Sequence, residues 1–166
     1  MFSTRKKNIE KLIEEMQQLF EDRGVTLALA ESCTGGALSA AIASRPGISK
    51  FYRGAVVSYS AEVKQKILGV PRSLLQALGE VSEPVARAMA QGVRKELGSH
   101  WSAAITGIAG PTGGSREKPV GMVCFAVVGP GFEQVETKLW GSLKRSEIQS
   151  RSVEHALRLL VDALQH

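Results

Sequence analysis

Apolar residues recur at three- and four-residue spacing through Ile9, Leu12, Ile13, Met16, Leu19 and Phe20, which predicts an amphipathic helix ending near Gly24. Val25 to Ala30 breaks that rhythm with a short, charge-free apolar run, the pattern of a buried strand. Glu-Ser-Cys-Thr-Gly-Gly follows at 31–36. Small residues from Ala37 to Ala43 then suit a close-packed helix that stops at Pro46-Gly47. Phe51 to Tyr59 reads as a second strand, and Ser60 is placed to cap a helix over Ala61 to Leu68. Gly69-Val-Pro71 ends it, and a short helix is expected over Ser73 to Leu78.

Ser82 caps a firmer helix with Pro84 in its first turn and Val85, Met89, Val93 and Leu97 on one face. Ser102 to Thr106 is a strand that runs into a long glycine loop, 107–114. Val120 to Val128 and Phe132 to Trp140 form a hairpin across Gly129-Pro-Gly131. Val153, Ala156, Leu157, Leu160, Val161 and Leu164 then give a final helix its apolar face. Helices alternate with strands, and one antiparallel pair falls near the end. The expected fold is α/β, with helices covering a mixed sheet.

The bulk numbers narrow the class without changing that picture. The 166 residues suit one domain, 1–166, and 43% hydrophobic with 22% charged residues is the mixture of a globular protein. The stretch 119–132 is too short and too broken by Gly and Pro to span a bilayer, which takes roughly 20 apolar residues. The N-terminal residues lack the apolar core of a signal peptide, so a cytoplasmic, membrane-free protein is expected. Two cysteines and three scattered histidines offer no metal-ligand spacing, and no cofactor is expected. Most of the net charge of +5 can be localised to residues 45–72, where Arg45, Lys50, Arg53, Lys64, Lys66 and Arg72 face only Glu62. That segment reads either as a solvated basic face or as a site for an anionic small molecule. Nucleic acid is disfavoured, because aromatics are few and no recognised binding motif is present.

Two loops follow predicted strands, 31–36 and 106–114, and open α/β sheets bind ligands at the carboxyl ends of their strands. In the first, Ser32, Cys33 and Thr34 stand at a helix start, where free amides favour an anion or a developing oxyanion. Gly35 and Gly36 would admit a ligand close to the backbone. The plainer alternative is that Ser32 or Thr34 caps the helix. Cys33 has no histidine partner in its motif and reads as a small buried thiol. Ser32 needs a base, and a lysine with a depressed pKa qualifies, with Lys64 in Tyr59-Ser-Ala-Glu-Val-Lys64 as the candidate. The 106–114 loop has neither the Gly-Lys-Ser/Thr ending of a P-loop nor the dinucleotide fingerprint. It is a flexible hairpin or a backbone nest for an anion.

Six segments taken together resemble one family, the CinA C-terminal domain: Ala-Glu-Ser-Cys-Thr-Gly-Gly (30–36), Tyr-Ser-Ala-Glu-Val-Lys (59–64), Leu-Gly-Val-Pro (68–71), Gly-Glu-Val-Ser-Glu-Pro-Val-Ala (79–86), Thr-Gly-Ile-Ala-Gly-Pro (106–111) and Glu-Lys-Pro-Val-Gly (117–121). The likeness covers about residues 8–164. It implies a single-domain three-layer α/β/α sandwich and hydrolysis of the carboxamide of nicotinamide mononucleotide, giving nicotinate mononucleotide and ammonia. It implies a metal-free serine amidohydrolase with Ser32 as nucleophile, Lys64 as base and Tyr59 nearby for proton transfer or positioning. Thr34, Gly35 and Gly36, with Thr106, Gly107, Ala109, Gly110 and Pro111, fall where family members line the pocket, and Arg145 is placed to hold the 5′-phosphate. A dimer or higher homo-oligomer is implied as well. The chain departs from the family pattern at Met122, at Leu143-Lys144 ahead of Arg145, and at Gln149. The alternatives are a catalytically weak paralogue that binds a nucleotide or a protein partner and, ranked last, a DNA-associated competence factor.

Overall fold

The computed structural model describes residues 2–166. Among the described residues the helices are α1 (Phe2–Arg23), α2 (Ala37–Ala43), α3 (Ala61–Leu68), α4 (Arg72–Leu78), α5 (Glu83–Glu96) and α6 (Arg145–Gln165). The strands are β1 (Leu27–Glu31), β2 (Tyr52–Val57), β3 (Trp101–Gly107), β4 (Met122–Gly129) and β5 (Phe132–Leu139). Ser60 and Ser82 cap α3 and α5 as their positions predict, each accepting from the amide three residues on. The expected strand at 25–30 is shifted to include Glu31, which becomes its last, fully buried residue. Arg145 opens the last helix as its first residue.

The sheet order is β2-β1-β3-β4-β5. The first three strands run parallel and the last two antiparallel, so the sheet is mixed as expected. Side chains alternate across it and separate two cores. Leu27, Leu29, Ala103, Ile105, Val123 and Phe125 face one way, toward a core that includes Met16 and Phe20 of α1 and Leu157 and Leu160 of α6. Ala28, Ala30, Ala104, Cys124 and Ala126 face the other way, against Val85, Met89 and Val93 of α5 and Leu68 of α3. Small strand residues on this second face let α5 sit close, and Ser102 Oγ donates to Ala90 O of α5 at 2.7 Å. Helices on both faces make the three-layer α/β/α sandwich.

This topology places the candidate site. Parallel pairing of β2, β1 and β3 brings their carboxyl ends to one edge, so Ser32, Ser58 and Thr106 arrive together from positions far apart in sequence. From β1 the chain moves outward to β2, then returns across β1 to β3 through α3, α4 and α5. That reversal of direction opens a crevice beyond the strand ends.

Candidate active site

Ser32 continues from β1, its amide donating to Ile105 O at 3.0 Å, which pins it beside the end of β3. Lys64 lies on α3 and is only 1% exposed, although it carries an amine. Its Nζ is 3.0 Å from Ser32 Oγ and donates to Ser58 O at 2.9 Å, and Glu80 Oε1 lies 3.4 Å away. The two residues paired by the sequence reading are thus in direct contact. Burial depresses the Lys64 pKa below its ordinary 10.5, and the Glu80 carboxylate works against that depression. A buried amine beside a serine hydroxyl, held by a carbonyl on its other side, is arranged to accept the hydroxyl proton.

Cys33 is buried, and loss of solvent pushes its thiol up to about 12. A thiol held so far above neutral pH is a poor nucleophile, and the side chain packs in the core as a small buried group.

The turn from 32 to 36 differs from the expected anion cradle. Glu31 is fully buried, and its Oε2 accepts from Thr34 Oγ1 at 2.6 Å and from the amides of Gly36 and Leu38, each at 3.1 Å. Its Oε1 accepts from the Ser39 amide at 2.7 Å. The free amides at the start of α2 therefore already hold an anion, the chain's own carboxylate. Neither Ser32 nor Thr34 caps α2, and Thr34, Gly35 and Gly36 are absent from the cleft lining described below. The amide of Gly35 donates to Ser32 O and that of Ala37 to Thr34 O. The amides of Cys33 and Thr34 are engaged in none of these bonds. Gln149 Nε2 donates to Cys33 O at 2.9 Å and ties the turn to α6.

Glu31→Gln tests this arrangement, because it turns an accepting oxygen into a donor facing N–H groups. Loss of about 3 kcal/mol in denaturant-monitored stability is expected, since buried donors are left without acceptors. An unchanged midpoint would show that the carboxylate does not hold the turn.

The cleft over Ser32 has a volume of about 390 Å³. Of the candidate residues, Ser32, Tyr59, Lys64, Thr106, Gly107, Ala109, Gly110 and Arg145 line it, whereas Pro111 does not. Thr106 Oγ1 donates to Glu80 O at 2.8 Å, so its side chain secures the 79–81 segment. Tyr59 is 59% exposed, and its hydroxyl accepts from Arg145 Nη2 at 2.6 Å. Arg145 Nη1 donates to Gly110 O at 2.9 Å, which joins the start of α6 to both loops. Among the described residues no hydrogen bond joins Tyr59 to Ser32 or Lys64, so its geometry favours positioning over proton transfer.

Sequence reading missed Glu80 and Lys118, which also line the cleft. Lys118 belongs to the Glu117-Lys-Pro segment, and Nζ donates to Leu78 O across it. Of the basic run 45–72, only Lys64 reaches the cleft. Arg45 pairs with Glu14, Lys50 with Glu21 and Lys66 with Glu62, so much of that run is a solvated face of exposed ion pairs. A larger groove of about 1020 Å³ runs along α1 beside Arg45 and Pro46, and its lining holds no Ser, Thr or Cys. No group of three or more His, Cys, Asp or Glu side chains among the described residues is placed to hold a metal ion. No helix among them is long and apolar enough to cross a membrane.

Solved structures with the same architecture include a competence/damage inducible protein, CihA, from Agrobacterium tumefaciens, with a TM-score of 0.92, 35% identity and 96% of each chain covered. Another is the competence damage-inducible protein A (ComA) from Klebsiella pneumoniae, with a TM-score of 0.91, 32% identity and coverage of 95% and 98%. A CinA-like protein of Synechococcus sp. (strain CC9902) is 50% identical over 141 residues, 84% of this chain and 34% of the relative. One from Gloeobacter violaceus is 50% identical over 138 residues, 82% of this chain and 32% of the relative. The chain thus spans about a third of the length of these curated relatives. The CinA C-terminal domain model matches residues 9–164, and the chain belongs to that family.

Proposed function

We propose that this domain hydrolyses the carboxamide of nicotinamide mononucleotide, releasing ammonia and nicotinate mononucleotide. The observation that carries the reading is the buried Lys64 amine 3.0 Å from Ser32 Oγ at the floor of the cleft. A cleft of about 390 Å³ has room for a small molecule, and Arg145 gives it a cation for a phosphate.

In the first half-reaction neutral Lys64 takes the Ser32 proton as Oγ bonds to the amide carbon. The carbonyl oxygen becomes an oxyanion, for which the amide of Cys33, the cleft residue next to Ser32, is the candidate donor, such a donor typically contributing roughly 3 kcal/mol. The Lys64 ammonium then returns its proton to the departing nitrogen, and ammonia leaves an ester on Ser32. In the second half-reaction water gives a proton to Lys64 and bonds to the ester carbon. Ser32 recovers its proton from Lys64 as the carboxylic acid leaves. Arg145, fixed by Tyr59 and Gly110, holds the phosphate end, so the amide is presented to Ser32 in one orientation.

The deciding experiment measures ammonia release from nicotinamide mononucleotide by purified protein. Ser32→Ala is expected to reduce kcat by about 10⁴-fold or more, because the covalent route is closed. Absence of release by the wild type, or undiminished release by Ser32→Ala, would sink the reading.

A further inference from the structure

We infer that Glu80 is a specificity-determining residue of this site, whose carboxylate selects an amide substrate with a positively charged ring. The inference rests on the amidase reading of the cleft and extends it to the electrostatics of the ring that carries the amide.

Glu80 is the one acidic side chain among the residues lining the cleft, whose other charged members are Lys64, Lys118 and Arg145. Oε1 lies 3.4 Å from Lys64 Nζ, which is itself 3.0 Å from Ser32 Oγ, so the carboxylate sits within two hydrogen-bond lengths of the nucleophile. Its side chain is 46% exposed, and its backbone is fixed by the Thr106 hydroxyl. The placement is therefore set by the fold, while the carboxylate keeps room to meet a ligand.

A carboxylate here has a cost for the chemistry, because its field favours the ammonium form of the group that must act as a base. A cation delivered by the substrate offsets that field. In a pyridinium carboxamide the ring nitrogen is three bonds from the carbonyl carbon. With that carbon at Ser32 Oγ, the ring charge comes within reach of Glu80. Arg145, tied to Tyr59 and Gly110, meets the phosphate, while Lys118 stands against Leu78 and Gly79 beside Glu80. The cleft thus offers a carboxylate to a cationic ring and a guanidinium to an anionic tail. With Glu80 neutralised by the ring, burial governs Lys64 and the amine is free to take the Ser32 proton.

The test separates binding from turnover. Ser32→Ala protein and the Ser32→Ala/Glu80→Gln double variant are titrated calorimetrically with nicotinamide mononucleotide and with its reduced form, whose ring is uncharged. Ser32→Ala is expected to bind the cationic form about tenfold more tightly, the size of one partly screened charge pair. In the double variant the ratio should fall to about unity, because no carboxylate then distinguishes the charged ring from the uncharged one. Equal affinities in Ser32→Ala, an unchanged ratio in the double variant, or no binding of either nucleotide overturns the inference. Failure of the amidase reading shows separately, as a wild type that binds with this preference and releases no ammonia.

Discussion

Lys64→Met is expected to lower kcat for amide hydrolysis by about 10³- to 10⁴-fold while leaving the fold as stable as the wild type, or more stable. Lysine is a poor residue to bury, and Lys64 is 1% exposed. Its head group is satisfied by Ser58 O, Ser32 Oγ and Glu80, yet the folded state still carries a desolvation penalty whenever the amine is protonated. Methionine fills much of the same volume without that penalty, and the half-exposed Glu80 can turn to water. Melting curves and ammonia release on the same samples check both halves. A strongly destabilised variant would make Lys64 a structural tie, and retained activity would remove it from the reaction.

The pH dependence has a defined sign. The folded pKa lies below the ordinary 10.5, so folded Lys64 sheds its proton before the unfolded chain does. Activity should rise with pH through that lowered pKa. The stability of wild type relative to Lys64→Met should also rise, starting at the folded pKa and levelling near the unfolded one.

Much of this arrangement was legible in the chain. Period-two and period-four apolar spacing located the elements, and the capping positions Ser60 and Ser82 marked two helix starts. Ser32 and Lys64 could each be nominated from a loop after a strand and an amine at a helix start. Their 3.0 Å contact depends on parallel pairing of β1 with β2, which no local pattern encodes. Glu31 shows the limit most clearly. The same acid can decorate a turn or fill a helix start, and only the buried geometry reveals that its oxygens already occupy the amides offered to a ligand. Thr34, Gly35 and Gly36 are expected in the pocket wall from the family resemblance, which says nothing of where the Glu31 carboxylate lies. Glu80 and Lys118 stand on irregular segments, between α4 and α5 and between β3 and β4, whose approach to Ser32 no local pattern encodes. The basic run misled for a related reason: charge counted along the chain ignored partners such as Glu14 and Glu21 on α1.

Gly92→Ala should produce the other large effect, and here two rules point in opposite directions. Gly92 lies inside α5, where alanine is intrinsically favoured by about 1 kcal/mol. A Cβ at this position would sit 1.9 Å from Leu68 O and 2.8 Å from Leu68 C. Those are backbone atoms at the end of α3, so no rotamer change relieves the contact. Overpacking against a fixed backbone costs about 3 kcal/mol, which outweighs the propensity gain. For a chain of this size the net loss of about 2 kcal/mol corresponds to a fall of roughly 4–8 °C in Tm. The consequence extends to chemistry, because Lys64 stands one helical turn before Leu68 on the same helix. If α3 retreats as a unit to admit the methyl, Nζ leaves Ser32 Oγ, and a displacement near 1 Å can lower kcat by about 10²-fold. A raised Tm would show that propensity wins and that the close packing of α3 on α5 is not tight. A lowered Tm with unchanged kcat would show that the strain is absorbed beyond Lys64, in the Gly69-Val-Pro71 turn.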